Sequence, residues 1–582
     1  MFNQMTRFLR PGSIASIACI VLIVVLPLLS LNRNPDLHHD SWFFAQGLAI
    51  QEGLQIYKDI YSFYGPLIPW IFALAIAFLG EYVIIGRVLG LVVLWLICIT
   101  MYYLLRKKLS SRNALLLVCL FVSVSPERTE LNSTRWIYGN GIWPSNLSVF
   151  LTLVSIVVVY ELCNSDQTKS LNIRLFVLST FIPLLAVVRL QSLLLLILLI
   201  PLIIMINLHG SEGIKRKSKI VGLGFGISFA TLLVHLFRSE TFILTVLGIA
   251  LNPFKLAEDW MHGRWLSWLF SFSFFAVVSS ISFAILLLFV RVLSKKVEKK
   301  VLYPILTSLL TIGFFYSGTY MYPSEFNKSP LLWTLKIISS FPFWYMWPIM
   351  FYFSLLVCRT ILDYVKFLRE LKLRGNFAAS VISWERAAYI VIGLVSLTHL
   401  FWNFSYINVI FPILVILTLL LNPILPKDKS LTIAFWITLR IGISVFALVA
   451  TMGFLQNSNL HSAKMLWGMS DTRSNYMNID RAIEFVQSEN LENSSQFFCN
   501  IPIYRAFDLN SYKLDNVFGI DPPLNFIDYL ERLPSSTSTV LVCSYSETLI
   551  PRSILKFGWF IHSYKKFHPE DVSIKILKRL GT

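Results

Sequence analysis

The chain has 582 residues, 56% of them hydrophobic and only 14% charged, with a mean hydropathy of +0.66 and a formal charge of +18. A soluble chain of this length carries roughly 25% charged residues, so a water-soluble globular protein is excluded. The basic excess does not indicate nucleic-acid binding. Its Lys and Arg residues cluster between apolar blocks, as in Arg106-Lys107-Lys108, Lys215-Arg216-Lys217, Lys295-Lys296 with Lys299-Lys300, and Lys366 to Arg374. That is the positive-inside pattern that orients membrane helices.

In chain order, Arg7 and Arg10 precede the apolar block 14–31. The block is followed by LLSLNRNPD, without a small-x-small cleavage site, and is read as a first anchor rather than a signal peptide. With the N-terminus inside, this span exits, and the stretch 32–82 stays outside. Within it, 40–51 and 66–79 predict two juxtamembrane helices at the interface. If 66–79 spanned the bilayer, Arg106-Lys107-Lys108 would fall outside. Residues 83–105 return, and 114–124 and 147–162 form the next pair. The segments 171–188 and 190–208 meet in a tight outside turn at Arg189 and Gln191. Further apolar blocks at 220–237, 265–293, 301–320, 343–365, 387–402, 408–421 and 431–455 bring the total to about 13 spans of ~20 residues.

An odd count leaves 456–582 outside. There polar residues rise, FFCNI and VLVCSY read as short buried strands, and 479–489 and 524–532 as amphipathic helices. The expected fold is therefore an α-helical polytopic membrane domain, 1–455, followed by a small C-terminal α/β domain outside the membrane, 456–582. Of the seven cysteines, Cys19, Cys98, Cys119 and Cys358 sit in apolar blocks as small hydrophobes. Cys499 and Cys543 share the terminal domain, where an outside disulfide between them stays open. The spacing matches no metal motif.

The first outside loop concentrates Asp36, His38, His39, Asp40, Glu52 and Asp59 beside the bilayer. A carboxylate on a short helix at that surface can take the proton of an acceptor hydroxyl attacking a sugar, or steady a developing cationic sugar centre. A merely solvated loop has the same composition. The order Asp40, the run AQGLAIQEG from Ala45, Tyr57-x-Asp59 and Tyr64-Gly65-Pro66-Leu67 resembles the first periplasmic loop of GT-C glycosyltransferases. It is similar to members related to the protein-mannosyltransferase and lipid A aminoarabinose transferase group.

The resemblance covers roughly 36–105 in motif and the rest in layout. It implies transfer of a monosaccharide from a polyprenyl-phosphate donor to a protein, lipid or glycan acceptor on the outer face of a bacterial plasma membrane, with inversion. By position it makes Asp40 the catalytic acid of the loop, while Asp59 fills a position often acidic in similar loops, either as a further functional acid or as a brace of the loop. Many relatives carry a second acid directly after the first, where this chain has Ser41. Glu127 and Glu130 are the candidates to supply it from the next outside loop.

The donor phosphate needs cations, and Arg189, Arg87 and Arg135 are the candidates, since Arg clamps phosphate in bidentate fashion. Arg189 also reads as a residue snorkelling to the interface, and Arg87 as a structural partner of Glu81. No cofactor is expected; a divalent metal at His38 and His39 beside Asp40 is the weaker alternative. Expected partners are the lipid-linked donor, the acceptor and membrane lipids, and no nucleic acid. The rival reading is a transporter or flippase of lipid-linked sugars, against which stand the absence of a visible repeat and the position of the acids in loops.

Overall fold

In the computed structural model the described residues are chiefly 37–51, 66–80, 84–124, 144–164, 169–181, 218–227, 384–397, 407–421, 495–498, 538–544, 558–567 and 572–580, with scattered positions between them. The helices are α1 (Leu37–Gln51), α2 (Leu67–Leu79), α3 (Ile84–Leu105), α4 (Ser111–Val124), α5 (Pro144–Asn164), α6 (Lys169–Phe181), α7 (Trp384–Leu397) and α8 (Ile407–Leu421). A π-helical turn, Val21–Val25, precedes them.

The centre of the bundle is α5 and α8. Helix α5 packs on α3, α6, α7 and α8, and α8 packs on α3, α4, α5 and α7. Consecutive residues Ile413, Leu414, Val415, Ile416 and Leu417 are fully buried. A helix hydrophobic on every side belongs in an interior or a membrane. Pro412 lies inside α8, where it removes one backbone hydrogen bond.

Helix α3 is the helix among the described residues that is long and apolar enough to cross a membrane, over Ile85–Leu105. At 22 residues it extends for about 33 Å. Its outward stripe, Val88, Val92, Leu96 and Ile99, is exposed and wholly apolar. The helical positions Val277, Ile281, Ile285, Leu288 and Val292 repeat that pattern. Water would be an unfavourable neighbour for such stripes, whereas hydrocarbon is a neutral one.

The turn after α3 is tight. Ser110 opens α4, accepting from Asn113 N–H through its Oγ at 3.4 Å and from Ala114 N–H through its carbonyl at 3.0 Å. Tyr103 donates its hydroxyl hydrogen to Glu161, and Lys107 Nζ lies 3.7 Å from the same carboxylate. The Lys107 ammonium also sits 4.5 Å over the Tyr103 ring and 5.3 Å over the Tyr160 ring. These contacts join the C-terminal ends of α3 and α5, so the two helices run in the same direction.

Helices α3, α4, α5, α7 and α8 occupy the expected segments 83–105, 114–124, 147–162, 387–402 and 408–421, with shifts at their ends; of these, α3 has the length and apolarity of a span. The expected 171–188 corresponds to α6, Lys169–Phe181, with Val188 also helical. The spans expected at 190–208, 301–320 and 431–455 lie outside the described residues, as do most positions of those at 14–31, 220–237, 265–293 and 343–365.

Near the C-terminus, β1 (Ser495–Phe498), β2 (Thr539–Ser544), β3 (Trp559–Phe567) and β4 (Val572–Arg579) form one sheet of order β1-β2-β4-β3. Strands β1 and β2 are parallel, and the other pairs are antiparallel. Val540 and Leu541 point to opposite faces and are both fully buried, as are Ile576 and Leu577, so the centre of the sheet is covered on both sides. Glu489 and Phe485, beside the helical position Ser488, meet β3. His562 Nε2 is 3.7 Å from Glu489, and Lys565 Nζ is 5.4 Å over the Phe485 ring. Strand β1 begins ahead of the expected FFCNI and ends within it, and β2 overlaps VLVCSY. Cys543 lies in β2, whereas Cys499 and the helix expected at 524–532 are outside the described residues.

Removing the Tyr103 hydroxyl should loosen the joined ends of α3 and α5. Tyr103→Phe is expected to destabilise the solubilised chain by about 1–3 kcal/mol, while Val92→Leu on the exposed stripe leaves the thermal midpoint unchanged. Equal midpoints for Tyr103→Phe and the parent would contradict the contact.

Candidate functional site

Three helices build the candidate site. Helix α1 packs against α2, and both pack against α3. Helix α2 starts after Pro66, whose φ of −75° suits a helix start, and Trp70 N–H donates to the Pro66 carbonyl at 3.1 Å. It ends at Gly80, φ +89°, whose N–H donates to the Ile76 carbonyl at 2.8 Å; only glycine adopts that backbone without strain. With 13 residues, α2 extends for about 20 Å, short of the ~30 Å needed to span hydrocarbon.

Phe72, 2% exposed, is the wedge between the other two helices. A Cβ at Gly47 of α1 would stand 2.7 Å from Phe72 Cβ and 2.9 Å from the Ala73 backbone nitrogen. A Cβ at Gly86 of α3 would stand 2.7 Å from Phe72 Cζ. Phe72 also stacks on Phe43 of α1, with ring centroids 6.2 Å apart. Gln51 Nε2 donates to the Ala73 carbonyl at 2.5 Å, tying the C-terminal end of α1 to the same point of α2. Small residues allow this close approach, which is how helices associate where lipid is as apolar as their side chains.

Helix α1 is more enclosed than a surface helix. Phe43, Phe44, Gln46, Leu48 and Ala49 are all buried. The exposed side of α2 is Leu74, Ala77, Phe78 and Leu79, with no polar residue among them. The two helices expected at an interface are thus a helix buried on successive positions and a helix with an apolar outer face.

Asp40 is the fourth residue of α1, in its first turn, where backbone N–H groups have no intrahelical acceptor. His38 and His39 lie in the same turn. Arg87 follows Gly86 in α3 and is 5% exposed. A buried guanidinium demands hydrogen-bonding or anionic neighbours. The fold therefore brings the Asp40 helix onto the Arg87 helix through Phe72. Asp59, Glu127, Glu130, Arg135 and Arg189 lie outside the described residues, as does Glu81.

Gly47, Phe72, Gly86 and the fully buried Gln46 are parts of the site that the sequence reading did not single out. Gly47 and Gly86 stand inside helical apolar runs, where a glycine without a turn to make is the signal of a close backbone approach. A second overlooked feature is the buried hydroxyl row of α5, Ser145, Ser148, Thr152 and Ser155. Thr152 Oγ1 donates to the Ser148 carbonyl at 2.7 Å and Ser155 Oγ to the Leu151 carbonyl at 3.0 Å. These bonds stay within the helix.

No protein-family model and no curated protein matches this chain. Among solved structures it is similar to the Archaeoglobus fulgidus oligosaccharyltransferase in complex with zinc and sulfate, with 14% identity and a TM-score of 0.43 over 90% of this chain and 67% of that one. It is also similar to ArnT from Cupriavidus metallidurans bound to undecaprenyl phosphate, with 10% identity and a TM-score of 0.39 over 96% of this chain and 97% of that one. The apo form of that ArnT gives 10% identity and a TM-score of 0.35 over the same shares. At these identities and TM-scores the likenesses carry no argument for fold or function.

The two glycines should not respond alike to a methyl group. Gly86→Ala meets the far end of a ring, and Phe72→Leu in the same chain should relieve it. Gly47→Ala meets the α2 backbone, and the same second change should not. Each alanine alone is expected to destabilise by about 1–3 kcal/mol, read as thermal midpoints in a double-mutant cycle. Equal rescue of both would contradict the wedge.

Proposed function

We propose that this chain is a membrane-embedded glycosyltransferase that moves a monosaccharide from a polyprenyl-phosphate donor to an acceptor on the outer face of the membrane. The observation that carries this reading is the packing of the Asp40 helix on the helix that buries Arg87. The loop motif from Asp40 to Leu67, which resembles GT-C glycosyltransferases, supplies the chemistry to that geometry. The apolar stripes on α3 and on 277–292 support a lipid surround, in which a lipid-borne substrate reaches the site by lateral diffusion.

In the proposed reaction the acceptor hydroxyl oxygen attacks the anomeric carbon while Asp40 takes its proton. The bond from that carbon to the phosphate oxygen breaks, and polyprenyl phosphate leaves. A carboxylate in the first turn of a helix is favoured in its ionised form by the positive end of the helix dipole, which suits a group that must receive a proton. Arg87, with Arg189 and Arg135 as further candidates, neutralises the leaving phosphate; a fixed charge in a site that excludes water acts there without reorganisation. A single displacement inverts the anomeric centre.

Asp59, Glu127 and Glu130 are the proposed sources of a second carboxylate, and no cofactor is needed. The segment 456–582 is proposed to lie outside the membrane, on the same side as the first loop, where its sheet helps to hold the acceptor.

Membranes containing the chain, incubated with a radiolabelled polyprenyl-phosphate sugar, are expected to transfer label to a macromolecule. Asp40→Asn should lower that transfer by about 10²–10⁴-fold with expression and membrane insertion intact. Normal transfer by Asp40→Asn would overturn the assignment, and movement of label across vesicles without transfer would favour a flippase.

A further inference from the structure

We propose that Cys19 and Cys119 form a reversible dithiol–disulfide pair that fastens the N-terminal segment to α4. Their Sγ atoms are 3.3 Å apart, and no disulfide joins them. The sulfurs must close by about 1.3 Å to reach the ~2.0 Å length of a disulfide.

Two contacts hold the segment in place for this. Trp95 Nε1 of α3 donates to the Ile23 carbonyl at 3.0 Å, one turn beyond Cys19. The turn Val21–Val25 packs on α4 itself. Cys119 is 1% exposed, whereas Cys19 is only half-buried, so an oxidant meets the pair through Cys19. Cys98, on the neighbouring α3, is buried at 4% exposure. Among the described residues no group of three or more His, Cys, Asp or Glu side chains is arranged to hold a metal ion.

The oxidant that fits a thiol pair between apolar helices is a membrane-soluble quinone. Each thiol gives up one proton and one electron, the two sulfurs join, and the quinone takes both protons and both electrons to become the hydroquinone. A phosphine reductant reverses the step. The link would close a loop of about 100 residues and so restrain the unfolded chain. It would couple the grip of the first segment on α3 and α4 to the redox state of the membrane.

The test uses the full-length chain in native membranes, treated with a short-chain quinone, denatured, alkylated and digested with trypsin. Arg106, Lys107 and Lys108 supply cleavage sites between the two cysteines. The expected product is a linked pair of peptides containing Cys19 and Cys119, lighter than the two separate peptides by two hydrogen atoms and split by the phosphine. Cys98→Ser should retain that product and Cys19→Ser should lose it. Full alkylation of Cys19 and Cys119 after quinone treatment of the parent, or linkage of either to Cys98, would overturn the proposal.

Discussion

The contact of Phe72 with Gly47 on one side and Gly86 on the other sets the spacing of the three helices that carry the candidate site. In water, apolar side chains drive helices together; in lipid they gain little by exchanging acyl chains for leucines. Close packing must then supply the attraction, and packing is short-ranged, so a void or overlap of one methyl group is felt. The two glycines remove that overlap. They let a full aromatic ring fill the space between α1 and α3, and they bring α1, with Asp40 in its first turn, down onto a helix with a buried guanidinium.

The rest of the bundle keeps that arrangement from drifting. Helix α3 is fixed at its far end by Lys107 and Tyr103 on Glu161, a charged cluster that balances itself. Along its length it lies on α5 and α8, which are buried on nearly every side. The outward stripe of α3 is exposed and apolar throughout. A helix clamped at both ends and packed along one side holds Arg87 at a constant position relative to α1 and α2. Catalysis by positioning and charge asks for that constancy, since preorganised groups are effective only when they need not move.

Much of this was legible in the sequence because long apolar runs between basic clusters leave few alternatives. Expected 83–105 differs from α3 by one residue at its start, and expected 408–421 from α8 by one. The charge rule keeps 66–79 from being read as a span, and a helix, α2, does occupy it. What the pattern hid has physical reasons. The enclosure of α1 depends on α2 and α3 covering it, which no local periodicity encodes. Gly47 and Gly86 look like ordinary interruptions until α2 is found against both, with its backbone at Gly47 and the Phe72 ring at Gly86. Strands β3 and β4 go unassigned in the sequence because WFIHSYKKF and VSIKILKR carry Lys among their apolar residues and lack a clean apolar run. In the sheet Lys575 is nonetheless only 5% exposed, since β4 is an inner strand with pairing on both sides. For the site itself, Asp40 and Arg87 came from motif position, and the fold adds the packing of their helices. The remaining acids and arginines sit on segments outside the described residues.

The account stands on a lipid phosphate being held at Arg87. Thermal unfolding of the detergent-solubilised chain with and without polyprenyl phosphate tests this most directly. Binding to the folded state alone raises stability by about 2.7 kcal/mol when the lipid is at a hundredfold excess over its Kd. The midpoint of the parent chain should therefore rise with added lipid, and the rise should vanish in Arg87→Gln. An unchanged midpoint for the parent, or an equal rise in Arg87→Gln, would contradict the account.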